Sequence, residues 1–228
     1  MIQLNKNIDN FLKIKNNHFH MKPFSKLVLD FFDELSKNLF KNKNIIRFPD
    51  IATFCFWCRR SNLNEIKKTL LGKDLRKGLG LLLHVPPSNV PITSIYSFAF
   101  GLLSGNGNIV RISKKNSLSL NIILKMIENL LKKKKNQLLK KNNFFITYEK
   151  NDSISNKLSS IVDGRLIWGG DETIKKFKTF DTKLKCSDLY FVDKFSISIF
   201  NSSYFKNISS KEVELLIKNF YNDTFILD

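Results

Sequence analysis

Apolar residues recur along the chain at two spacings, and the change from one to the other divides it. Up to about residue 72 the spacing is helical. Phe11 and Ile14, then Leu27, Phe31, Leu35 and Leu39, mark helices within Ile8–Phe40. A second helical stretch is predicted from Asp50 to Leu71, with Pro49 near its start and Asp50 as a candidate N-cap. From Gly78 the pattern changes to short apolar runs. Gly78–Val85, closed by Pro86 and Pro87, predicts a strand buried on both faces. Ile92–Leu103 reads as a helix stopped by Gly105, Asn108–Ile112 as a strand and Ser117–Lys133 as a long amphipathic helix. Strands over Phe144–Tyr148 and Arg165–Trp168 are each followed by a helix, Ser153–Val162 and Asp171–Phe180. Strands over Leu189–Val192 and Ser196–Phe200 and a helix from Ser210 to Phe220 complete the pattern.

Strands alternating with helices at this spacing imply βαβ units on a parallel sheet, a doubly wound α/β arrangement. A helical region over 1–72 precedes an α/β domain over 73–228. No internal repeat and no Pro/Gly/Ser-rich linker marks the boundary. In such a sheet ligands bind outside the carboxyl ends of the strands, so the loops there are the places to look for chemistry.

Composition narrows the class. The chain has 228 residues, 43% of them hydrophobic, enough for a substantial core and too many for a disordered chain. No apolar run approaches the roughly 20 residues needed to span a bilayer, and Met1–Asn10 is too polar for a signal peptide. Three cysteines give no disulfide framework, which fits a reducing cytoplasm. The net charge of +18 raises a nucleic-acid-binding reading. Against it, Lys, Asn, Ile and Phe are abundant throughout while Gly, Pro and Arg are scarce, as an AT-rich coding sequence would give. The densest run, Lys132–Lys135 with Lys140 and Lys141, sits at the end of a helical pattern, where lysine favours the helix dipole and stays in water.

Three loops carry candidate chemistry. After the first strand, Val85-Pro86-Pro87-Ser88-Asn89-Val90-Pro91 holds an amide side chain among three prolines. A fixed Asn89 can donate to a developing oxyanion, or it can bond its own backbone in a turn. Next, Gly105-Asn106-Gly107-Asn108-Ile109-Val110-Arg111 contains a G-x-G but puts Val110 where a dinucleotide fingerprint needs its third glycine, and it precedes a strand instead of opening a helix. It reads as a turn that delivers Arg111 and Ser113 to a strand end, where Arg111 is either solvated or grips a ribose phosphate bidentately. Finally, Trp168-Gly169-Gly170-Asp171-Glu172 puts Gly169 and Gly170 between a strand and a helix N-terminus, a geometry suited to a diphosphate.

In this order and spacing the three loops resemble those of the aldehyde dehydrogenase superfamily. Asn89-Val90-Pro91, Gly105–Arg111 and Trp168–Glu172, with Phe56–Leu63 and Phe191–Ser196, resemble more particularly the long-chain acyl-CoA reductases, the fatty-acid reductase component of bacterial bioluminescence. The resemblance covers the chain from about residue 50 onward. It implies a parallel Rossmann-like sheet of the aldehyde dehydrogenase type behind an N-terminal helical region. It implies reduction of an acyl-CoA or other acyl thioester by NADPH to an aldehyde, through a cysteine thioester. It would make Asn89 the oxyanion donor, set Arg111 and Ser113 along the adenosine ribose and its 2′-phosphate, and pass Gly169 and Gly170 close to the diphosphate and nicotinamide end.

The three cysteines do not supply the nucleophile that this reaction needs. Cys55 and Cys58 fall inside an apolar helical stretch and read as buried structural thiols, and Cys186 as part of a basic loop. No cysteine or histidine pair stands at zinc spacing, so no metal is expected. His18 and His20 lie in a polar segment and read as exposed, and His84 is either an acid–base group near Asn89 or a structural strand residue. In the resembled family the catalytic cysteine follows a segment like Thr224–Leu227, read here as the start of a strand. The expectation is therefore a chain cut before its catalytic domain, inactive alone and dependent on a separate chain for its nucleophile. A nucleic-acid-binding module and a degenerate relative that only binds a partner remain the alternatives.

Overall fold

The computed structural model describes residues 2–4, 12, 20–42, 48–72, 75–114, 117–192 and 197–224. Phe11, Ile14, His18 and Asp193–Ser196, all used in the sequence reading, lie outside the described residues.

The apolar runs form six parallel strands: β1 (Ile2–Gln3), β2 (Leu81–Val85), β3 (Gly107–Arg111), β4 (Asn143–Thr147), β5 (Gly164–Trp168) and β6 (Ser187–Phe191). Their order across the sheet is β1-β4-β3-β2-β5-β6. The helices of the same compact unit are α1 (Lys26–Phe40), α2 (Pro49–Trp57), α3 (Arg60–Leu71), α4 (Thr93–Leu103), α5 (Leu118–Leu131), α6 (Gln137–Asn142), α7 (Asp152–Ile161) and α8 (Asp171–Lys178). The architecture is the expected α/β arrangement, a parallel sheet with helices and an N-terminal helical region.

Alternation along the central strands sends side chains to two cores, one on each face. On one face Val110 and Phe145 pack with α1, α2, α4 and α5 through Phe32, Phe54, Phe98 and Ile123. On the other, Leu83, Val85, Ile109, Ile146 and Ile167 pack with Ile154 and Leu158 of α7 and Ile174 and Phe177 of α8. Residues 1–192 form one compact unit, so the helices before residue 72 and the strands after it belong together. Residues 193–228 form a second unit, with α9 (Ser202–Phe205) and α10 (Ser210–Thr224). In it the Phe200 ring lies 5.7 Å from those of Phe205 and Phe220.

Several sequence expectations are corrected. The helix expected over Asp50–Leu71 is two helices, α2 and α3, with Cys58 and Arg59 between them. Asp50 is not the N-cap. Phe48 takes that position, Pro49 stands in the first turn, and the Asp50 carboxylate accepts from the Ile51 N–H at 2.9 Å and from the Ser119 hydroxyl at 2.8 Å. Residues 197–200 are not a strand, because no neighbour among the described residues offers a ladder to pair with. Thr224 ends α10 and does not begin a strand, while 225–228 lie outside the described residues. The pattern also missed β1, which pairs with β4 and leaves Leu4 fully buried.

Candidate functional site

The strand order creates one special place. From β2 the chain steps through β3 to β4, then returns to lay β5 on the other side of β2. Neighbouring crossovers diverge at such a switch point and leave a crevice outside the carboxyl ends of β2 and β5. Two of the three singled-out loops flank it.

The loop after β2 runs from Pro86 to Ile92. Its end is tied into α4 by bonds from the Thr93 and Ser94 N–H groups to the Val90 and Pro91 carbonyls and from the Ser94 hydroxyl to Pro91 at 2.7 Å. Asn89 is exposed in the bend between Pro87 and Pro91. After β5, Gly169 donates its N–H to the Phe191 carbonyl at 3.2 Å, and Gly170 is the N-cap of α8 with no side-chain cap. A Cβ on Gly169 would meet Thr173 carbons at 2.9 Å, so the backbone passes too close to α8 for a larger residue. Asp171 and Glu172 in the first turn of α8 are exposed.

Arg111 ends β3. The registers pair His84 with both Val110 and Leu166, which sets Arg111, Val85 and Ile167 level across the sheet. Arg111 and the β5 end are therefore about 10 Å apart, two strand spacings. The Arg111 guanidinium lies 4.6 Å over the Tyr148 ring, a cation–π contact that fixes its direction. Burial pushes the Tyr148 phenol above its ordinary pKa, with Arg111 opposing, and its oxygen lies 3.2 Å from the Ser155 hydroxyl. Ser113 is half-buried just past β3. Two features had no sequence signal: Tyr148 as the support for Arg111, and the stacking of Trp168 on Phe191 (centroids 4.1 Å apart, planes 5° apart) at the ends of β5 and β6. Both pairs join residues more than twenty positions apart, so no local pattern could have found them.

His84 is the next-to-last residue of β2, and its side chain is closed off from solvent. It is fully buried, with Nδ1 2.6 Å from the Ser97 hydroxyl and Nε2 2.9 Å from Asn108 Oδ1. Because Asn108 donates its amide to Asn106 O and Asn143 Oδ1, its own oxygen accepts from Nε2–H, and Nδ1 accepts from Ser97. Burial holds the imidazole down at about 4, with the Asn108 bond opposing, so the ring is neutral. Gly101 leaves room for this network, since a Cβ there would sit 2.1 Å from Asn108 Oδ1. Cys55 and Cys58 are fully buried in the helical layer. Burial pushes the Cys55 thiol up to about 12, and Cys58 is raised by burial and then by Cys55. Neither is poised as a thiolate. Cys186 is half-buried ahead of β6, and its thiol is also raised, chiefly by burial. His20 is exposed, with Nδ1 3.0 Å from the Gly78 carbonyl oxygen. Among the described residues no three potential metal ligands come together, and no helix is long and apolar enough to cross a membrane.

The family profile of acyl-CoA reductase (LuxC) matches residues 30–216. The chain belongs to that family. Among curated protein sequences none matches significantly. Solved structures show the fold independently. A point mutant of an aldehyde dehydrogenase from Bacillus cereus superposes with a TM-score of 0.56 at 14% identity, over 82% of this chain and 43% of that one. The glyceraldehyde-3-phosphate dehydrogenase GapN from Methanocaldococcus jannaschii, complexed with NADP, gives 0.51 at 17% identity over 82% and 44%. A mutant of proline utilization A from Bradyrhizobium japonicum gives 0.55 at 11% identity over 80% and 20%. The LuxC-family chain thus spans less than half the length of these structures, and its sheet is of the aldehyde dehydrogenase kind.

Proposed function

We propose that residues 1–228 form the cofactor-binding part of an NADPH-dependent acyl-CoA reductase, which converts a fatty acyl-CoA into a fatty aldehyde, free CoA and NADP through a cysteine thioester. The observation that carries this reading is the pairing of a LuxC-family match with a switch-point crevice flanked by the Asn89 loop and the Gly169–Gly170 turn, with Arg111 at the end of the next strand. In this reading residues 1–72 support the site with helices and the edge strand β1, and the chain from residue 73 onward carries the cofactor.

The residues fit a dinucleotide phosphate. Gly170 leaves the N–H groups at the start of α8 without a side-chain cap, and such groups suit a diphosphate. The carboxylates of Asp171 and Glu172 are exposed, so water screens their repulsion. Arg111, braced on Tyr148, pairs with the 2′-phosphate, with Ser113 beside it. The bound cofactor supplies the hydride. Asn89 donates its amide N–H to the carbonyl oxygen as negative charge develops there. The nucleophilic thiolate comes from residues other than Cys55, Cys58 and Cys186. That thiolate displaces CoA from the acyl group and is released when the aldehyde forms. Thiols left unpaired suit a reducing cytoplasm.

The test is calorimetric titration with NADPH and NADH. Arg111→Ala is expected to lose about 1–3 kcal/mol for NADPH, the range for a charge-assisted bond, and little for NADH. Equal loss for both cofactors would remove the 2′-phosphate role.

A further inference from the structure

A cleft of about 990 Å³ opens beside α3, lined also by Lys22, Pro23, Leu75 and Arg76. Backbone bonds fix where it lies. Met21 donates its N–H to the Gly105 carbonyl at 2.9 Å, Phe24 to that of Leu103 at 2.7 Å, and Gly78 to that of Met21 at 3.4 Å. Gly105 and Gly78 lead into the amino ends of β3 and β2. The cleft is therefore at the end of the sheet opposite the switch point, about 16 Å away by the length of a five-residue strand.

Its lining is strongly basic. Lys22, Arg59 and Lys67 line it, while Lys68 is paired with Glu65 at 2.7 Å and Arg76 has an interaction of its own. Among the described residues Lys22 and Lys67 have no carboxylate partner. Arg59 is held in place, with Nε donating to the Phe56 carbonyl at 3.3 Å and the guanidinium 4.5 Å over the Phe56 ring. Like charges gathered in a concave surface repel one another unless an anion joins them, and this volume lies at the upper end of the range for small-molecule sites.

We propose that this cleft binds a small, multiply phosphorylated ligand at a site separate from the cofactor crevice. Several cations around one volume favour a polyanion over a single carboxylate, and the concave shape favours a compact ligand over a long strand.

The test is calorimetric titration of the full chain with inorganic tripolyphosphate at fixed ionic strength. A saturable site that persists in Arg111→Ala is expected. Lys22→Gln with Lys67→Gln should weaken it at least tenfold with an unchanged circular dichroism spectrum, while Arg111→Ala leaves it unaltered. The proposal is overturned if there is no saturable binding, or if the double variant binds as the parent does. It is also overturned if Arg111→Ala abolishes binding, which would put the anion in the cofactor crevice. Tighter binding to single-stranded oligonucleotides, with affinity rising with their length, would overturn it in favour of a nucleic-acid surface.

Discussion

At the scale of single residues, His84 shows how burial decides a role that residue type leaves open. An imidazole at a strand end is a natural acid–base candidate. Here the ring is enclosed between Ser97 and Asn108 and held neutral, with its pKa lowered to about 4. The unfolded chain takes up this proton near pH 6.5, and the folded chain refuses it until about pH 4. Folding stability is therefore expected to be whole above about pH 6.5 and to fall as pH drops through that window. The slope from this group is at most about 1.4 kcal/mol per pH unit. Urea denaturation at about pH 7, 6 and 5 checks this, and a slope that survives unchanged in His84→Gln would assign it elsewhere. Asn89 gives the opposite case, an exposed amide at the switch point. In a complete, active enzyme Asn89→Ala is expected to leave cofactor affinity intact and to slow turnover about 10² to 10³-fold. Unchanged turnover would make Asn89 a turn residue only.

At the scale of elements, Asp50 ties two helices that are far apart in sequence. Its carboxylate accepts from the Ile51 N–H at the start of α2 and from the Ser119 hydroxyl in the first turn of α5. Ser119 is itself buried. Asp50→Ala leaves that hydroxyl with only the Ser117 oxygen, 2.8 Å away, and the loss of one hydrogen bond, about 1 kcal/mol in urea denaturation, is expected. Asp50→Asn should recover most of it, and a loss shared equally by both variants would point away from the hydrogen bond. The pattern put Pro49 near the start of α2, but it held no sign that the helix breaks at Cys58. There Asn62 donates its side-chain amide to the Trp57 carbonyl at 2.7 Å, a bond that satisfies the broken end without glycine or proline. The two-residue β1 was invisible for a different reason. Two residues have no periodicity, and only the waiting edge of β4 makes them a strand.

At the scale of the whole molecule, net charge sets the response to salt. Ion pairs such as Lys68–Glu65 and Lys176–Asp152 are exposed and worth at most about 1 kcal/mol each, so screening them costs little. The surplus of 18 positive charges repels itself across the compact state. Screening that repulsion wins, and the melting temperature is expected to rise by a few degrees between roughly 50 and 500 mM sodium chloride. Scanning calorimetry checks this, and a falling melting temperature would show that the ion pairs dominate.

The order of residues alone marked most of the elements between β2 and β6 and their succession along the chain. It also placed Asn89 and the Gly169–Gly170 turn in loops at strand ends, and Arg111 near the end of its strand. Those features are local, since helical and strand periodicities, proline in a loop and glycine before a helix act over a few residues. Three-dimensional packing chose what lies beside what. Only the strand order puts β5 next to β2 and so opens a crevice between loops some eighty residues apart. Only packing lays Arg111 over Tyr148, encloses His84 and gathers Lys22 with Arg59 and Lys67 around one cleft. Such neighbours are chosen by the burial of whole faces against one another, and a pattern read a few residues at a time carries no record of that choice.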